Sequence, residues 1–214
     1  MSLNRSYLNL IAEGDAMDRI VFFSDAVFAI AMTLLVIELH VPEVAKGDLA
    51  AALRELVPGY LAFMLSFAVI GMVWMSHHRK MRVIVRYNQN LVRLNLLLLL
   101  FVASIPLPTG ILAAYGADNL SVYVNAVTIC AVGFTMSGIW MYAWHQGLVD
   151  PRITVELFRY VLIKSLPIPG IFLLSFLVAM LLGPTIAEFS WALALPASVI
   201  VTKAYGSREH PDQE

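Results

Sequence analysis

Six runs of about twenty apolar residues, at roughly 20–39, 57–76, 94–115, 120–144, 161–182 and 185–202, dictate what this chain becomes. A run of that length crosses the ~30 Å hydrocarbon core of a bilayer as an α-helix, which satisfies every backbone donor and acceptor within itself. The expected fold is all-α: a polytopic membrane protein with six transmembrane helices, forming one domain over 1–214 that ends in a short tail, 203–214. Composition agrees, with 60% hydrophobic residues, 14% charged residues and a mean hydropathy of +0.78, so little sequence is left for a soluble domain. The first run is expected to be a retained span and not a signal peptide, because acidic Glu13, Asp15 and Asp18 precede it and no small-residue cleavage site follows.

The net charge of −1 becomes informative once it is split by side of the membrane. Both tails and the even-numbered gaps hold Arg5, Arg19, Arg79, Lys80, Arg82, Arg86, Arg93, Arg152, Arg159, Lys164, Lys203 and Arg208, whereas the odd-numbered gaps hold only Lys46 and Arg54. Basic residues concentrate on the cytosolic side, so both termini are expected in the cytosol, and an even number of spans closes the count. The basic segment His77–Arg93 reads as a topology signal that touches lipid headgroups, not as a nucleic-acid surface. One cysteine, Cys130, permits no intrachain disulfide and no cysteine-based metal site, and no cofactor is expected.

Between spans, His40–Leu56 is the longest external gap; it contains Pro42 and the string LAAALREL, which reads as a short interfacial helix. The gaps at 116–119 and around Gly183-Pro184 are turn-length, so the helices beside them pack as antiparallel neighbours. SIPLPTG at 104–110 and SLPIPG at 165–170 place prolines inside the third and fifth spans, where kinks or helix starts are expected. Trp74, Trp140, Trp144 and Trp191, with Tyr60, Tyr115, Tyr142 and Tyr160, lie near span ends and read as headgroup anchors.

The first span carries the chemistry. Asp25 lies about one turn inside its cytosolic end, and a charge there costs at least ~2.5 kcal/mol, which marks Ser24-Asp25 as a candidate functional site. At 100° per residue, Arg19, Phe23, Ala26, Val27, Ile30, Thr33, Leu34 and Ile37 share one direction while Asp25 points almost oppositely. Two readings of the stripe stand. Ile30, Leu34 and Ile37 pack against a neighbouring helix, or several copies of the helix surround an axis and turn the stripe into hydrophobic rings that gate by dewetting, with Thr33 as a hydroxyl ring. The second reading requires a cyclic homo-oligomer. For Asp25 an internal hydrogen-bond clamp is preferred to a proton relay, with Arg19, His77, His78 and Asn95 as candidate partners. Glu38 and His40 stand at the external mouth, either as solvated loop-edge charges or as a cation-concentrating pair. His77-His78 makes a poor metal site, since adjacent helical residues point about 100° apart.

The string Arg19-Ile20-Val21-Phe22-Phe23-Ser24-Asp25, followed by Ala29-Ile30, Thr33-Leu34-Leu35 and Glu38-Leu39, resembles the RxxxFSD signature of the transmembrane protein 175 family of potassium channels. Trp74, His77, His78 and Arg79 with Asn95-Leu96 resemble that family's pattern after its second helix. The resemblance implies a bacterial-type member with one six-helix unit per chain, four chains around a pore, in a prokaryotic plasma membrane. It further implies that the first helix lines a path for K+ and other monovalent cations, with a constriction at Ile30, Leu34 and Ile37 and a polar layer at Thr33. Arg19, Phe23, Ser24 and Asp25, with His77 and Asn95, would be the network that holds this helix, and Glu38 would stand at the external mouth. Ala29 stands where some members carry Ser, and Ile37 where Leu is common; both departures bear on cation preference.

The residues agree on one negative point, since the chain has no TVGYG-like segment to strip an ion of water with carbonyl oxygens. The leading function is a potassium-permeable cation channel; the alternative is a proton- or cation-coupled secondary transporter that titrates Asp25. An enzyme is not expected, because neither GxSxG nor HExxH occurs and the spans hold too few His and acidic residues for a nucleophile with its base.

Overall fold

The computed structural model of the protein describes residues 16–39, 48–116 and 118–206. Glu13 and Asp15, His40, Pro42 and Lys46 of the first external loop, and the terminal SREHPDQE lie outside the described residues. Helices α1 (Ala16–Leu34), α2 (Leu49–Met81), α3 (Gln89–Ser104), α4 (Pro106–Tyr115), α5 (Asn119–His145), α6 (Val155–Lys164), α7 (Pro167–Leu182), α8 (Pro184–Trp191) and α9 (Ala194–Gly206) follow in order, with a 3-10 turn, Leu35–Glu38, completing α1. They form six stretches long and apolar enough to cross a membrane: Met17–Glu38, Leu49–Met81, Gln89–Tyr115, Asn119–His145, Val155–Leu182 and Pro184–Val201.

Short polar residues start these helices by accepting a hydrogen bond from an otherwise orphaned backbone N–H. The Ala51 N–H donates to Asp48 Oδ1 (3.1 Å), Leu91 N–H to Asn88 Oδ1 (2.9 Å), Leu120 N–H to Asp118 Oδ1 (2.8 Å) and Leu157 N–H to Thr154 Oγ1 (3.2 Å). Prolines start three more: Pro106, Pro167 and Pro184 stand in the first turns of α4, α7 and α8, where a missing N–H has no consequence. The third and fifth spans are therefore each two helices in line, broken at the proline strings. The sixth is also broken, at Ala192-Leu193, where Pro196 in the first turn of α9 opposes the Ala192 carbonyl four residues before it.

LAAALREL corrects one expectation. It is not a separate interfacial helix; residues 49–56 are the first two turns of α2, which runs through Pro58 without ending. Alanine and leucine are strong helix formers, and Pro58 deletes one hydrogen bond of the ladder, so the helix continues across it. At 33 residues α2 is about 50 Å long.

The core centres on α5, which buries residues all round, from Val122 through Ile129 and Met136 to Trp140 and Ala143. A helix apolar on every side belongs in the interior. It packs chiefly on α7 and α3. The approach to α7 is close: a Cβ on Gly133 would stand 2.8 Å from both Cβ and Cγ of Pro169. Trp140 and Trp191 are fully buried, which corrects their reading as headgroup anchors. Trp140 stacks on Phe158 and donates its indole N–H to the Phe158 carbonyl (3.1 Å), and Trp191 stacks on Phe172 with ring centroids 4.9 Å apart. Position along a helix sets the depth of a side chain; the direction it faces decides whether lipid sees it.

The two connections on the basic side are tied together. Ile84 and Val149 form an isolated antiparallel bridge, with Val85 N–H donating to Leu148 O (3.0 Å) and Asp150 N–H to Val83 O (2.9 Å). Arg152 binds the Asp150 carboxylate at 2.7 Å, and this hydrogen-bonded guanidinium holds the Asp150 carboxyl at about 2, below the usual carboxylate range.

Candidate functional site

Helix α1 buries Ser24, Phe28, Ala31 and Leu35, spaced four, three and four residues apart, and this face binds it to the bundle. One of these residues is polar, and its satisfaction fixes a three-helix chain of hydrogen bonds. The Ser24 hydroxyl donates to its own helix at Ile20 O (2.8 Å), so its oxygen is left to accept, and the Asn95 amide of α3 donates to it at 2.9 Å. The Asn95 oxygen consequently faces His77 of α2, whose Nε2 lies 2.9 Å away and must carry the proton that makes the bond. Ser24 and His77 are 0% exposed and Asn95 2%, so the chain is shut off from water. The His77 ring also lies against Phe28, centroids 5.4 Å apart.

Asp25, the next residue, is held by a different pair. The Trp74 indole N–H donates to Asp25 Oδ1 at 2.8 Å, and His78 Nδ1 stands 3.7 Å from Oδ2. Trp74 and His78 are one helical turn apart on α2 and therefore share a face, with their rings 5.7 Å apart. His77, between them in sequence but turned about 100° from His78 around the helix, faces Asn95. Consecutive residues of α1 thus make two separate tethers, one fully buried and one partly exposed.

Among the residues singled out from sequence, Ser24, His77 and Asn95 come together, and Asp25 sits beside them on Trp74 and His78. Arg19 and Phe23 are exposed on the other side of the helix and stand apart from both tethers. Trp74 is the partner that sequence reasoning about Asp25 missed. Its signal was present, since it precedes His78 by four residues and carries the N–H donor a buried carboxylate requires.

Among the described residues the opposite face of α1 has no packing partner. Ile30 is 57% exposed, Leu34 41% and Ile37 65%, and Thr33 is exposed between them. Thr33 donates its hydroxyl back to Ile30 O (2.9 Å), which turns its oxygen lone pairs outward. The 3-10 turn keeps the row straight, because residues three apart eclipse in that geometry and Ile37 follows Leu34 in line. At the far end Glu38 is half-buried, and its carboxylate lies over Gly110 of α4, where a Cβ would collide with it. A second polar contact braces this end, Ser66 donating to Thr109 Oγ1 at 3.0 Å while Thr109 donates to Ile105 O. Among the described residues no group of three or more His, Cys, Asp or Glu could hold a metal ion.

Residues 19–106 match the family model described as endosomal/lysosomal potassium channel TMEM175. The chain is 38% identical over 141 residues to a potassium channel of Streptomyces collinus, a stretch covering 63% of this chain and 68% of that one. It is 39% identical over 131 residues to a potassium channel of Chamaesiphon minutus, covering 58% and 64%. A bovine protein described as the endosomal/lysosomal proton channel TMEM175 is 32% identical over 148 residues, which is 65% of this chain but only 31% of that relative. The fold superimposes on the crystal structure of a lysosomal potassium-selective channel TMEM175 homologue from Chamaesiphon minutus with a TM-score of 0.69 and 28% identity, over 92% of this chain and all of that one.

Proposed function

The chain belongs to the TMEM175 family, and on that premise we propose that it is a potassium-permeable cation channel whose conduction path is lined by α1 from each of four copies. The family is one of channels, not of enzymes, and the chain is a multi-pass membrane protein. The observation that carries the pore assignment is the division of α1 into two faces. One is fastened by Ser24, Asp25 and Phe28, and the other offers Ile30, Thr33, Leu34 and Ile37 to whatever lies beyond the subunit.

Among the described residues the bundle is packed around a buried, mostly apolar α5, which favours an axial passage made by several subunits, and cyclic symmetry brings the same stripe of each copy to one axis. Rings of Ile30, Leu34 and Ile37 then form a narrow apolar constriction that dewets and so resists ions until it widens, with the outward Thr33 oxygens as the one polar layer. Ser24 and Asp25, through Asn95, His77, Trp74 and His78, keep that helix at a fixed distance from the axis, while Arg19 and Phe23 lie outside both tethers. Both termini lie in the cytosol and the membrane is a prokaryotic plasma membrane, in keeping with the basic residues gathered on one side.

Purified protein in liposomes tests the reading. It predicts a tetrameric mass in detergent and a K+ conductance exceeding the turnover of any carrier. Because animal relatives are described as proton channels, proton flux is measured in the same vesicles. A monomeric protein with no K+ current would overturn it.

A further inference from the structure

Away from α1, a cavity of about 540 Å³ opens between α2, α5, α6, α7 and α9 on the basic side of the bundle. Its walls are apolar, built from Met72, Met136, Ile168 and Val199 among others, but three cationic side chains line it: Arg79, Lys80 and Lys164. Among the described residues no aspartate or glutamate does. Lys80 is the informative member. It is 3% exposed, its ammonium donates to the Ser165 hydroxyl at 2.8 Å, and among the described residues no carboxylate forms an ion pair with it. Ser165 cannot balance a charge, and it spends its own proton on Val161 O. A buried ammonium without a counter-charge is costly, and an anion beside it removes most of that cost. Arg79, exposed, and Lys164, half-buried with its ammonium 5.7 Å from the Tyr160 ring centroid, complete a basic end on an otherwise greasy cavity.

We propose that this cavity is a binding site for an anionic phospholipid, its phosphate received by Lys80, Lys164 and Arg79 and one acyl chain lying along Met72, Met136 and Val199. The charge pattern selects the occupant. A soluble anion would satisfy the basic end but leave the apolar walls unfilled, and a zwitterionic lipid would bring a cation of its own to three others. The site stands apart from α1 and does not depend on whether the protein conducts.

Native mass spectrometry of the detergent-purified protein tests it, with palmitoyl-oleoyl phosphatidylglycerol and the phosphatidylcholine of identical chains as probes. The expected result is selective retention of the phosphatidylglycerol, with Lys80→Met and, separately, Lys164→Gln each lowering the preference about fivefold, the effect of one basic contact. Lys164→Gln keeps the test alive if Lys80→Met does not fold, because Lys164 is only half-buried. Equal retention of the two lipids, or an unchanged preference in Lys164→Gln, would overturn the site. So would full displacement of the lipid by millimolar inorganic phosphate, which would assign the basic end to a soluble anion. A loss of subunits in the Lys164→Gln spectrum would assign the cavity to a second copy of the chain and equally overturn it.

Discussion

Asn95 donates to the Ser24 hydroxyl at 2.9 Å, and that single bond orients everything downstream of it. It turns the Asn95 oxygen to His77, fixes which nitrogen of the buried imidazole carries hydrogen, and ties α1 to α2 through a residue on neither. Replacing Asn95 with Leu strands the His77 N–H in an apolar interior, at about 1–3 kcal/mol. Ser24→Ala removes less, because Asn95 keeps its bond to His77. The expected order of thermal stability in detergent is wild type, then Ser24→Ala, then Asn95→Leu; the reverse order of the two variants would contradict the chain.

Trp74→Phe keeps the ring and deletes the donor to Asp25. Hydrogen bonds to charged groups contribute about 1.5–3 kcal/mol, and this one is partly exposed, so a loss toward the lower end is expected. If Asp25 works as a clamp, Trp74→Phe and Asp25→Ala lower the yield of assembled oligomer on size exclusion while ion preference stays as in wild type. Altered preference at full oligomer yield would move Asp25 from scaffold to ion path.

Ile30→Asn and Ile37→Ala act on the other face. Both residues are exposed in the subunit, so folding is expected to be unaffected, within about 0.5 kcal/mol for exposed positions. Current recorded from single channels is expected to rise, or to lose K+ preference, as the first wets the constriction and the second widens it. Unchanged permeation in both variants would remove the stripe from the pore.

Gly133→Ala places a methyl 2.8 Å from two carbons of the Pro169 ring, which is rigid and cannot yield as a flexible side chain does. Helix α7 must move away from α5, and overpacking of this kind typically costs about 1–3 kcal/mol. A melting temperature equal to wild type would show that the helix pair is looser than its geometry indicates.

Acid acts at the tied loops. The Asp150 carboxyl is held at about 2 in the folded protein by Arg152, below its ordinary 3.8, so the stabilisation is present above pH ~4 and disappears as pH falls through ~2. Melting curves taken between pH 5 and pH 2.5 should fall less steeply for Asp150→Asn than for wild type, and parallel curves would show that the pair is energetically silent.

The spans were legible because hydrophobicity alone decides them: each apolar run corresponds to one stretch long enough to cross a membrane, and the proline strings at 104–110 and 165–170 mark breaks within two of them. Their ends were less legible. The start of α2 was misread because a stretch of alanine and leucine between polar residues suits an interfacial helix and the opening turns of a long one equally well. Ser24, Asn95 and His77 stood out as polar residues in apolar surroundings, which is why phase and composition could nominate them. Which donor reaches Asp25 is not available from phase, because it depends on the relative rotation of α1 and α2, and an indole near a span end suits a headgroup anchor equally well. The same ambiguity hid the burial of Trp140 and Trp191.

Because α1 is fastened along one side only, the residues on its free side answer to no intramolecular obligation. If that side lines the proposed path, mutational drift at positions 30, 33, 34 and 37 retunes an aperture while the scaffold that presents it is inherited intact, and lineages can diversify what they let through without first solving a folding problem.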